Sequence, residues 1–125
     1  MSGVRVIGFE ARDGICLELI SDLKQAVASV KELQVTPDNV SPFIMKGAMQ
    51  AVSGERVFVF IDGLFEKDER TPEVCQKLTE VVFEAVTGIV QKYELFEVRF
   101  VEVINYKINP QTDGYTGGKI LHSLK

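Results

Sequence analysis

The most regular hydrophobic pattern in the chain is a strand followed by a long amphipathic helix, within Arg56–Tyr93. Val57–Ile61 is an uninterrupted apolar run of β-branched and aromatic residues, which is typical of a strand covered on both faces. After the charged segment Glu66–Arg70, a helix is predicted from Thr71, whose hydroxyl can cap it, with Pro72 at its first position. Apolar residues then recur at helical spacing: Val74, Leu78, Val81, Val82, Ala85, Ile89 and Tyr93. We therefore expect this helix to pack on the sheet that contains the strand.

The first half of the chain has the same order of strand, turn and helix. A strand is predicted over Val4–Ala11 and a turn over Arg12–Gly14. A helix with one apolar stripe is predicted from Cys16–Gln34. The stretch Val40–Val52 is interpreted as a strand, and Ser53–Gly54 as a hairpin-like turn into the central strand.

The last part of the chain predicts one more strand and a tail. Apolar and polar residues alternate at the start of Phe96–Tyr106, which indicates a strand. The tail Ile108–Lys125 contains turn residues and short apolar pieces, and we expect it to lie against a neighbouring subunit. The whole order predicts one domain spanning residues 1–125, of the α/β (α+β) class. It has a duplicated β-α-β unit and a four-stranded mixed sheet with two helices on one face.

A sheet with both helices on one face leaves the other face uncovered. The strands carry apolar residues on both faces, and a large apolar surface is rarely left in water. Self-association is therefore expected to bury the uncovered face.

Composition narrows the classes of partner and cofactor. With 14 basic and 18 acidic residues the net charge is −4, so the chain has no basic surface of the kind that binds nucleic acid. Cys16 and Cys75 have no CxxC spacing or nearby histidine, so we expect no metal and no cofactor. No apolar run approaches 18 residues and the start has no signal-peptide pattern. A cytoplasmic protein without membrane contact is the expectation.

Four spaced fragments carry a resemblance to a known family: Phe9–Ile15, Gln50–Glu55, Arg70–Thr71 and His122–Lys125. In order and spacing the chain resembles the tautomerase superfamily, and within it the 5-carboxymethyl-2-hydroxymuconate isomerase family. The resemblance implies a tautomerase-like duplicated β-α-β subunit and a homotrimer around stacked sheet faces. It also implies keto-enol isomerisation of a small unsaturated keto acid.

The base implied by this resemblance, an N-terminal proline, has no counterpart here. Position 2 is Ser2, and alignment on the first strand puts Arg5 in the place of the proline. Arg5 cannot act as a base because guanidinium keeps its proton, so it is either an anion clamp or an exposed strand residue. The amine of Ser2 is the remaining terminal candidate. Because the proline is missing, we expect the isomerase activity implied by the resemblance to be weak or absent. The alternative is a non-catalytic trimeric module that binds an anion or another protein.

Three further residues are candidates for the site. Arg70 matches a substrate-binding arginine that precedes the second helix in the family, although it could also be a solvated charge paired with Glu69. Lys46 is the available cation where the family has a second arginine. Asp62 interrupts an apolar strand and must be paired, exposed at the strand's end, or held protonated, which makes it the candidate internal catalytic acid or base.

Overall fold

A computed structural model describes residues 2–45, 56–65, 71–108 and 114–122. The described residues form five strands and two α-helices, in the order β1 Ser2–Ile7, α1 Asp13–Ala28, β2 Val40–Met45, β3 Arg56–Phe65, α2 Pro72–Lys92, β4 Phe100–Ile108 and β5 Gly114–His122. Short 3₁₀ turns at Lys31–Leu33 and Pro37–Asn39 connect α1 to β2.

The strands form one mixed sheet in the order β2-β1-β3-β4-β5. β1 is parallel to β2 and β3 is parallel to β4, so each β-α-β unit contributes a parallel pair. The two units join through the antiparallel contact between β1 and β3. This arrangement confirms the predicted fold class, and β5 extends the predicted four-stranded sheet to five strands.

The start of α2 follows from local chemistry. Thr71 is the N-cap, and its Oγ1 accepts a hydrogen bond from the backbone N–H of Val74 at 3.3 Å. Pro72 occupies the first turn, where its missing N–H costs nothing. Glu73 places a negative charge near the same helix end, which the helix dipole favours. The predicted start of this helix is confirmed.

The first helix is displaced from its predicted bounds. It begins at Asp13 rather than Cys16 and ends at Ala28 rather than Gln34. Val30 and Leu33 remain buried, although Leu33 is the last residue of the following 3₁₀ turn, which Gln34 terminates with φ 56°. The apolar spacing therefore continues past the end of the helix.

The core lies between the two helices and one face of the sheet. On the sheet side it consists of the alternate residues Val4, Val6, Val57, Val59, Ile61, Val101 and Val103, all fully buried. The helices contribute Leu19, Leu23, Val27, Leu78, Val82 and Val86, also fully buried. Asn105 is buried in the same layer, where its amide donates to the Cys75 carbonyl at 3.1 Å and to Thr79 Oγ1 at 3.3 Å. These bonds offset the cost of burying its amide.

Two predictions about strands are wrong, and a third, the turn at Ser53–Gly54, lies outside the described residues, although β2 and β3 themselves are separated by β1. The last predicted strand starts at Phe100 instead of Phe96, after turns in which Glu94 adopts φ 52°. The tail is not only turns, since β5 pairs antiparallel with β4 of the same chain. That pairing uses backbone groups, which a side-chain pattern does not reveal.

A charged cluster joins α1 to the end of α2. Lys92 Nζ lies 2.7 Å from Glu18 Oε2, and the Tyr93 hydroxyl donates to Glu18 Oε1. The hydrogen bonds from Lys92 and Tyr93 lower the pKa of Glu18. The same bonds to Glu18 raise the pKa values of Lys92 and Tyr93.

These shifts predict how Glu18→Gln changes stability with pH. Ionised Glu18 stabilises the fold above its ordinary pKa of 4.5, and this is lost as pH falls through its lowered folded value. Protonated Lys92 and Tyr93 stabilise the fold below their ordinary pKa values of 10.5 and 10.0, and this is lost above their raised values. Urea unfolding of both proteins across pH should therefore give a stability difference that is constant at neutral pH and shrinks at both extremes. A difference that does not change with pH would contradict the cluster.

Candidate functional site

The sheet face opposite the helices, here called the open face, is built from alternate strand positions. It carries Gly3, Arg5, Ile7, Ser41, Phe43, Met45, Arg56, Phe58, Phe60, Asp62, Phe100, Glu102 and Ile104, all partly or largely exposed in the single chain. The alternation is a property of the extended backbone, which sends neighbouring side chains to opposite faces. Most of these residues are apolar or aromatic, and charges are confined to a few positions.

Arg5 and Asp62 form an ion pair on this face. The register sets Arg5 opposite Phe60 and Gly3 opposite Asp62, so Arg5 and Asp62 are diagonal neighbours on adjacent strands. Arg5 Nε lies 3.3 Å from Asp62 Oδ2, and the two side chains are 41% and 39% exposed. The Nε–H is nevertheless buried without an aligned hydrogen bond to any described residue. The contact is therefore held by charge attraction rather than by a directed hydrogen bond.

Gly3 makes room for the Asp62 carboxylate. A Cβ at Gly3 would lie only 2.6 Å from Asp62 Oδ1, closer than real Cβ contacts come. Glycine in a strand often marks such a close approach. The carboxylate thus leans over β1 towards Arg5.

Aromatic and apolar groups surround the Arg5 guanidinium. Its Cζ lies 5.2 Å from the centre of the Phe60 ring, within the range of a cation–π contact. Phe60 stacks on Phe58 with ring centres 6.5 Å apart. On the other side of β1, Phe43 is paired with Arg5 in the parallel register and is 51% exposed, and Met45 is 43% exposed. A cation with apolar neighbours on both sides suits an anion that carries an apolar body.

The structure brings some predicted site residues together and separates others. Arg5 and Asp62 meet on the open face, where Asp62 is paired, one of the three alternatives for it; it is also 39% exposed but lies inside β3 rather than at the strand's end. Ser2 begins β1, three positions before Arg5, which corresponds to about 10 Å along an extended strand. Arg70 and Lys46 lie outside the described residues.

Sequence reasoning missed Gly3, Phe60 and Phe43 as neighbours of Arg5. Their proximity depends on which residues of β1, β2 and β3 lie opposite each other, and this register cannot be obtained from one strand alone. The available signal was Gly3 itself, since a glycine near a strand's start can indicate close backbone approach.

Other features of the described residues offer less chemistry. A groove of about 450 Å³ between α1 and α2 has Asp22, Ser29 and Glu84 in its lining, on the helix side of the molecule. Both cysteines are free and buried, and no group of three or more His, Cys, Asp or Glu side chains gathers among the described residues. No helix in this described part is long and apolar enough to cross a membrane.

Comparison with known proteins found similarity to solved structures but no sequence match. No protein-family model matches the chain, and no curated protein matches it. Among solved structures it is similar to "F6 fused 4-OT wild type asymmetric trimer", with a TM-score of 0.56 and 15% identity over 90% of each chain. That structure belongs to the tautomerase superfamily, and at this identity the likeness concerns the fold alone. The predicted tautomerase-like fold is confirmed.

Proposed function

We propose that this tautomerase-fold protein is a homotrimer that binds a small carboxylate or keto acid on its open face and isomerises it slowly or not at all. The observation that carries the proposal is the position of Arg5. It stands where the resemblance to the 5-carboxymethyl-2-hydroxymuconate isomerase family places the catalytic proline, and it lies half-exposed among aromatic rings. A guanidinium there attracts an anion but cannot accept a proton.

The surroundings of Arg5 support a carboxylate with an apolar body as ligand. Arginine binds carboxylates in a planar, two-pronged geometry. Phe60 beneath the guanidinium and Phe43 beside it are apolar surfaces for the rest of the ligand. Arg70 and Lys46 are proposed to contribute further positive charge.

Addition of phenylpyruvate is expected to raise the melting temperature of the protein without requiring its consumption. Binding to the folded state alone stabilises it in proportion to the logarithm of ligand concentration above Kd. Arg5→Gln should lose most of this increase, because its side chain keeps hydrogen-bonding groups but has no charge. Arg12→Gln is the matched control, since Arg12 is exposed at the start of α1, away from the open face. Thermal denaturation with and without ligand measures the effect, and equal increases for wild type and Arg5→Gln would contradict the proposed site.

Assembly through the open face is a separate prediction. Sedimentation equilibrium at micromolar concentration should give a species three times the 13.9 kDa chain mass. Phe43→Asp should shift this species towards monomer, because it puts a charge into the apolar surface that copies would share. Phe96→Asp is the matched control, since Phe96 is also exposed, at 58%, but follows α2 outside the sheet. A wild-type mass of 13.9 kDa would refute assembly, and dissociation by both variants would refute this face.

The alternative is a trimeric module without catalysis that binds a protein partner. The exposed side chains of Phe43 and Met45 favour this alternative, since apolar residues exposed together often mark an interaction surface. If phenylpyruvate does not raise the melting temperature of the wild-type protein while assembly is intact, this alternative is favoured over the carboxylate site.

A further inference from the structure

We infer that Asp62 is a built-in competitor for the anion site, occupying Arg5 until a ligand carboxylate displaces it. This inference rests on the proposed function and adds a residue that sets its affinity. The Asp62 carboxylate is 3.3 Å from Arg5 Nε and offers Arg5 the same chemical group as the proposed ligand. An incoming carboxylate that binds the Nε edge of the guanidinium must share or replace this contact.

The geometry makes such an exchange feasible. In the single chain Arg5 and Asp62 are both about two-fifths exposed, and the exchange requires this part of the open face to stay accessible at the subunit boundary of the proposed trimer. The Nε–H lacks an aligned hydrogen bond within the described residues, so the internal pair does not satisfy the guanidinium fully. Phe60 holds the guanidinium from below and fixes where it lies while its anionic partner changes. Exposed ion pairs of this kind are weak and can be replaced at small cost.

Gly3 is the second residue on which the position of the Asp62 carboxylate depends. Because a Cβ at Gly3 would lie 2.6 Å from Asp62 Oδ1, only glycine lets the carboxylate keep its present position over β1. The backbone of Gly3 is not in the positive-φ region, so alanine fits the strand itself. Gly3→Ala should therefore rotate the short Asp62 side chain away from Arg5 while the net charge stays the same.

The test is titration calorimetry with phenylacetate, an unreactive carboxylate with an aromatic body, on the full chain. Asp62→Asn should lower Kd about fivefold, which corresponds to about 1 kcal/mol at 1.4 kcal/mol per tenfold. Gly3→Ala should lower Kd about twofold, because displacement of the carboxylate is partial. Glu102→Gln is the matched control: it removes one negative charge from the same face, on β4 opposite Phe58, two strands from Arg5. It should change Kd by less than half as much as Asp62→Asn.

The outcomes separate this inference from the proposed function. Tighter binding by Asp62→Asn and by Gly3→Ala, with little effect of Glu102→Gln, supports both. Measurable wild-type binding that Asp62→Asn leaves unchanged, or that Glu102→Gln improves equally, overturns the competitor role and leaves the site. Binding by Asp62→Asn alone supports the competitor role and refutes ligand binding by the natural protein. No binding by wild type or by folded Asp62→Asn, with circular dichroism as the check on folding, overturns both.

Discussion

Phenylpyruvate enol is expected to be converted at least about 10²-fold more slowly by this protein than by a tautomerase with an N-terminal proline, because misplacing a catalytic group by about 1 Å already costs about that much. If Met1 is removed, the amine of Ser2 becomes the candidate base, and Ser2 lies about 10 Å along β1 from the position of Arg5. Loss of enol absorbance at pH 7, compared between the two enzymes at equal subunit concentration, measures the ratio.

Two altered proteins identify the source of any turnover that is observed. A sample acetylated at Ser2 has no terminal base, so residual activity that depends on the amine should disappear. Asp62→Asn removes the candidate internal base and leaves the amine free. Fast turnover that survives acetylation and is lost in Asp62→Asn would contradict the account, because it would make Asp62 a catalytic base rather than a partner of Arg5.

Leu19→Ala is expected to lower the free energy of unfolding by about 2–5 kcal/mol, the usual cost of removing a buried leucine side chain and leaving a cavity. Leu19 is fully buried on the face of α1 that packs against the sheet. Leu17→Ala is a close control, because it makes the same chemical change in the same helix at a side chain that is 67% exposed. It should cost less than about 0.5 kcal/mol, as surface substitutions usually do.

Urea denaturation of the two variants at neutral pH measures this difference. If the free energy of unfolding falls with urea concentration at the same slope in both variants, their unfolding midpoints can be compared directly. Equal costs for Leu19→Ala and Leu17→Ala would mean that α1 does not pack as described, since only its orientation distinguishes the two positions. Unfolding should be followed at one protein concentration, because assembly adds to apparent stability.

Helices and strands were predicted well where the residues that specify them lie within the same short segment. Thr71 and Pro72 specify the start of α2 through a hydroxyl cap and a fixed backbone angle, and the structure has both. The Val57–Ile61 run lies within β3, where Val57, Val59 and Ile61 are fully buried on the helix side and Phe58 and Phe60 lie on the open face. The apolar stripes of both helices also predicted that the helices pack on the sheet, because a stripe is visible within the sequence of one helix.

Features that depend on distant segments were not predictable in the same way. The position of β1 between β2 and β3, and the pairing of the tail with β4, are choices among strand partners that no local pattern distinguishes. The ion pair of Arg5 and Asp62 is of this kind, because it requires the β1–β3 register. A one-residue slip would move one of the two side chains to the opposite face.

A crystal structure of the assembled protein with phenylacetate bound is the most direct test of the central claim, that Arg5 makes this fold an anion site without a proline base. We expect the ligand carboxylate on the Arg5 guanidinium, the ligand's ring against Phe60 or Phe43, and the Ser2 amine out of hydrogen-bonding reach of the ligand. A ligand that lies against the Ser2 amine, with Arg5 still bound only to Asp62, would contradict it.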